Sequence, residues 1–190
     1  MSEWVSERAS GTRLAAGALG AVLACAAVYG VGLATPATHP IAQGDELGRE
    51  QGESFDGYRQ RAEPGLSESA DPAFALVTFP TPLSPEDAAR EMAPAERVSG
   101  LLLIDAPIKP IPEPTPGHTR AEVFANEASH EAAIGEANGV ALDPNAIGAV
   151  VVYADGDELR EIAAGSGAAV EVLPPDAAWG AFAVNPIHPG

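Results

Sequence analysis

Cysteine and lysine are almost missing from this 190-residue chain, and aromatic side chains make up only 5% of it. The single cysteine, Cys25, lies in an apolar run near the N-terminus, so the remainder has no disulfide and must be held by its core alone. The single lysine, Lys109, and nine arginines stand against 27 Asp and Glu, which leaves a formal net charge of −17. Binding a phosphate backbone requires clustered cations that release counterions, so this balance excludes nucleic acid as a partner. The remaining acidity describes a solvated surface of high charge.

Catalytic signatures are missing too. There is no P-loop and no dinucleotide fingerprint, and Gly165-Ser166-Gly167 lacks the glycines two positions from the serine that a nucleophile elbow needs. The histidines, His39, His118, His130 and His188, are scattered, without a second His or a Cys at ligand spacing. Asp155-Gly156-Asp157-Glu158 has the start of a calcium loop but not its distal glutamate, and a capped strand-to-helix turn accounts for it. No catalytic, cofactor-binding or metal-binding residues are assigned on these grounds, and no cofactor is expected.

What the chain does have is an uncharged run over residues 14–34, LAAGALGAVLACAAVYGVGLA. At about 1.5 Å per residue a helix of this length spans the ~30 Å hydrocarbon layer, so a transmembrane helix is expected there, in contact with the lipid bilayer. Arg8 and Arg13 precede the run and the next cation is Arg49, which orients residues 1–13 as a cytoplasmic tail and the rest as extracytoplasmic, at the cell membrane. A cleaved signal peptide near Thr35-Pro36-Ala37 is the weaker alternative, because the run exceeds the usual ~7–15-residue core and proline flanks the cut. Val22-Leu23-Ala24-Cys25 has the form of a lipobox, but the residues after Cys25 stay apolar, which favours a small buried side chain over a lipidation site. Ala16, Gly20 and Ala24, and again Ala26, Gly30 and Ala34, form small-residue stripes that would allow a homodimer through this helix.

Residues 35–72 are rich in Pro, Gly and acidic residues and are expected to be a flexible linker, with Phe55 and Tyr58 marking at most a short helix or docking motif. An extracytoplasmic α+β domain is expected over residues 73–190. FALVTF reads as a strand, and Ser84, Pro85 and Asp87 open a helix in which Leu83 and Ala88 are placed for a hydrophobic staple. VSGLLLI, over residues 98–104, reads as a strand covered on both faces. The proline-rich residues 106–118 suit an edge segment or polyproline-like connection.

Thr119 and Glu122 form a capping box for a helix that Gly139 can end, with Ala121, Phe124, Ala125, Ala128 and Ala132 as its buried stripe. AVVVYA is a strand, Asp155 and Glu158 cap a helix that Gly165 can end, and AAVEVL is the last clear strand. Trp179, Phe182 and Val184 are placed to pack across the sheet. This order predicts a small ferredoxin-like sheet with helices on one face.

The ALVTF strand before a Ser-Pro-Glu helix, with the late segment VVVYADGDELREIAAGSGAAVEVLPP, resembles a group of uncharacterised actinobacterial single-pass membrane proteins. That resemblance, over roughly residues 74–186, implies topology and compartment and no activity. The function expected is a membrane-anchored interaction module that binds another envelope or membrane protein. The alternative is a tethered envelope hydrolase or metal-dependent enzyme using either a carboxylate pair from separate elements or Glu127, His130 and Glu131, which share one helix face at i, i+3 and i+4, although a solvated face has the same pattern.

Overall fold

The computed structural model describes residues 46–188, which lie within one compact unit of the chain, Ala42–Gly190. The expected transmembrane helix at 14–34, Cys25, the small-residue stripes and residues 35–45 of the expected linker lie outside the described residues. No helix among the described residues is long and apolar enough to cross a membrane. The fold is α+β, with seven strands and four helices among the described residues.

Three helices begin where their caps dictate. In α2 (Pro85–Glu91), Ser84 accepts from the Asp87 amide and proline occupies the first turn. Capping boxes start α3 (Arg120–Ala137) at Thr119 and Glu122, and α4 (Gly156–Ser166) at Asp155 and Glu158. Each such cap contributes about 1 kcal/mol by satisfying amides that have no partner within the helix. The end of α4 differs from expectation. Gly165 stays helical and the chain turns at Gly167, whose φ of 65° is the left-handed conformation that glycine tolerates best.

The fourth helix corrects the sequence reading. Residues 55–68 are not flexible linker but helix α1 (Phe55–Glu68), capped by Ser54. Its Pro64, Gly57 and Gly65 give it poor intrinsic propensity, which is why the segment reads as linker. Docking overrides propensity here: Tyr58, Ala62 and Leu66, at i, i+4 and i+8, form a buried stripe against β6 (Ala169–Val172).

Strands β2 (Ala73–Leu83), β3 (Arg97–Leu103), β4 (Lys109–Pro110), β5 (Ile147–Ala154) and β6 form the main sheet, antiparallel throughout and in the order β4-β3-β5-β2-β6. Strands β2 and β3, joined by α2, are separated by β5. Strands β5 and β6, joined by α4, are separated by β2. Each strand-helix-strand unit therefore leaves a one-strand gap that the other fills.

Side-chain alternation divides the interior in two. Ala75, Val77, Phe79, Leu101, Leu103, Val150 and Val152 face the helices and join Leu66, Met92, Phe124, Leu159 and Ile162 in one core. Leu76, Leu102, Ala149 and Val151 face the other way and form a smaller core with Leu47 and Leu173. That second face is covered by the ends of the domain. β1 (Glu46–Leu47) pairs in parallel with β7 (Ala183–Val184), and Phe182, Val184 and Ile187 pack beneath. Phe182 and Val184 were expected across the sheet, and they lie there.

The proline-rich segment runs along the sheet edge as expected. β4 (Lys109–Pro110) pairs briefly with β3, the Ile111 amide donates to the Ser99 carbonyl at 3.1 Å, and Glu113 accepts from the Val98 amide at 2.9 Å. The exposed prolines deny further donors to any strand that might add there.

Candidate functional site

A break in β2 shapes a large open cavity. Its ladder with β6 stops at Thr78, and the register with β5 jumps between Thr78 and Leu83, so residues 79–82 bulge away. Pro80 and Pro82 lie in this bulge, where the missing donors cost no ladder hydrogen bond. Opposite stands Gly148 of β5. A Cβ there would come within 2.7 Å of Ile104 Cδ1 and 3.2 Å of Ile187, so glycine is what lets the tail seat against the sheet.

The bulge, residues 46–55 and residues 185–188 enclose an open groove of about 1030 Å³. Phe55, the bulge prolines, Ile104 and Ile187 supply apolar surface. The buried Thr78 hydroxyl on the floor has no hydrogen-bond partner among the described residues. Glu46, Glu50 and Glu53 line the groove against Arg49 and His188.

The N-terminal wall is fixed by one carboxylate. Glu171 accepts from the Gly48 amide at 2.7 Å, the Tyr58 hydroxyl at 3.0 Å and Arg61 at 2.9 Å. Arg61 also donates to both oxygens of Glu53 at 3.0 Å and to the Gly48 carbonyl at 2.9 Å, and it stacks 5.1 Å from the Tyr58 ring centre. The Glu53 hydrogen bonds, followed by the attraction of Glu171, raise the pKa of Arg61 further and keep it charged. The same guanidinium holds Glu53 below the usual carboxylate range. Burial, and then the charge of Glu171, push the Tyr58 phenol up, so it stays a donor.

The C-terminal wall is tied by the turn after β3. Asp105, at φ 60°, donates its amide to the Ile187 carbonyl at 2.9 Å, and its carboxylate lies 2.8 Å from His188 Nδ1. Arg49 reaches across to the His188 carbonyl at 3.1 Å. The two walls are thus bridged at one end of the groove.

Toward the other end of β2 and β5, Phe74 contacts Tyr153, Trp179 and Phe182 at centroid distances of 5.0, 5.7 and 5.7 Å. Trp179 packs over Gly100, where a Cβ would meet its ring at 3.1 Å. Trp179 and Tyr153 remain 40% and 39% exposed, so this cluster presents aromatic surface to solvent.

The structure does not assemble the alternative metal set. Glu127 and Glu131 are half-buried on α3 and His130 is exposed, but Glu131 is engaged by Lys109 at 3.6 Å. No group of three or more His, Cys, Asp or Glu stands ready to hold a metal ion among the described residues. Asp155 and Glu158 are occupied as cap residues. The groove residues escaped sequence reading because they come from five separated stretches. The one local signal was Pro80-Thr81-Pro82 directly after an apolar strand.

Comparison with protein-family models, curated proteins and solved structures found no match.

Proposed function

We propose that residues 46–188 form an extracytoplasmic interaction module, carried by a membrane-spanning helix at residues 14–34 with the N-terminus in the cytoplasm. The two interleaved strand-helix-strand units make its frame a ferredoxin-like arrangement to which α1, α3 and the tail are added. The observation that carries this reading is the groove. It has a shaped, partly apolar surface with tied walls, in which Glu53, Arg61 and Glu171 on one side and Asp105 and His188 on the other hold the segments in place. Such a surface suits recognition of another protein of the membrane or envelope.

The test is affinity capture of the tagged full-length chain from intact membranes, beside a chain ending at residue 45. One or a few proteins enriched with the full chain and lost from the truncated one is the expected result. No protein depending on residues 46–190 would overturn the reading.

A further inference from the structure

The groove has a composition that selects its occupant. Its charged residues are three glutamates against one arginine and a histidine. Glu53 is neutralised by Arg61, and Arg49 is turned onto the His188 carbonyl. Glu46 and Glu50 are exposed on the wall and form no ion pair among the described residues. Between these carboxylates and the bulge lies apolar surface from Phe55, Ile104 and Ile187.

Backbone chemistry narrows the choice further. Pro80 and Pro82 have no N–H, so a strand added along the bulge would lose alternate donors, which disfavours recognition by extension of the sheet. The occupant must then be held by side chains: apolar groups against the floor and cations against Glu46 and Glu50. A cavity of about 1030 Å³ lies at the upper end of the ~300–1,000 Å³ typical of ligand sites and has room for a short peptide.

We infer that the groove binds an extended partner segment that alternates apolar residues with Lys or Arg. This rests on the interaction-module reading and specifies its site and partner chemistry. The chain's own residues 35–45, TPATHPIAQGD, contain an aspartate and neither Lys nor Arg, so charge complementarity argues against self-occupancy. With attraction as part of recognition, binding weakens as salt rises.

The test places a photo-cross-linking amino acid in the full-length chain in cells, at Gln51 on the groove wall or at the exposed Ser129 on α3, and sequences the captured peptides. The expected product forms from position 51, carries at least two Lys or Arg beside apolar residues, and falls about tenfold in the E46Q/E50Q chain, which keeps the Glu53–Arg61–Glu171 contacts intact. Capture of a neutral or acidic segment at position 51, capture of residues 35–45, or yield unchanged by E46Q/E50Q would overturn the inference. Capture of a partner only at position 129 would overturn the groove assignment while leaving the interaction module standing. Capture at neither position would overturn both.

Discussion

The two faces of the central sheet are built on different principles. The helix face is buried under capped elements whose side chains, from Met92 to Ile162, interlock in one large core. The opposite face is covered by two-residue strands and loops from residues 46–54 and 174–188 over a core of only six buried residues. A face covered by short segments is held by point contacts such as Glu171 and Gly148, leaves aromatic surface uncovered and encloses a groove. Stability is concentrated on one side, and the shape available for recognition on the other.

The largest effect that would sharpen this contrast comes from the helix face. Phe124 is fully buried between α3 and the sheet, so Phe124→Ala is expected to cost about 3–5 kcal/mol through lost transfer energy and a residual cavity. Denaturant unfolding of the full chain should show the midpoint fall with the slope unchanged. A loss under about 1 kcal/mol would mean that the helix face is not the principal core.

A smaller effect comes from the wall of the groove. Arg61 depresses the pKa of Glu53, so the stabilisation from this pair is fully present above the ordinary glutamate range and is lost as pH falls through the lowered value. Limited proteolysis with an acid-active protease should therefore cut within residues 46–68 at acidic pH while the sheet remains intact. E53Q should remove that pH dependence. Cutting of wild type and E53Q with the same pH profile would break the proposed role of the pair.

Legibility follows the same division. Ser84, Thr119 and Asp155 announce their helices because capping is a local hydrogen-bond pattern, and β3 and β5 announce themselves as apolar runs. The α1 helix does not, because its stability comes from Tyr58 reaching a carboxylate 113 residues away. The stripe expected on α3 is half right for a similar reason. Phe124 and Ala128 are buried, but Ala121, Ala125 and Ala132 lie only half-buried, while Gly135 is buried where Leu142 crosses the helix. Contacts made by side chains from distant segments leave no periodicity to read, and the groove consists of little else.

Hydrogen exchange of the full-length chain at neutral pH tests most directly whether residues 46–68 belong to the domain and close its second face. Amides of β2 and β5 should exchange most slowly, and those of residues 58–68 at an intermediate rate well below that of an unfolded chain, with E171A accelerating residues 46–68 far more than β5. Exchange of residues 58–68 at the unfolded-chain rate in the wild-type protein would contradict the account and return this segment to a tether.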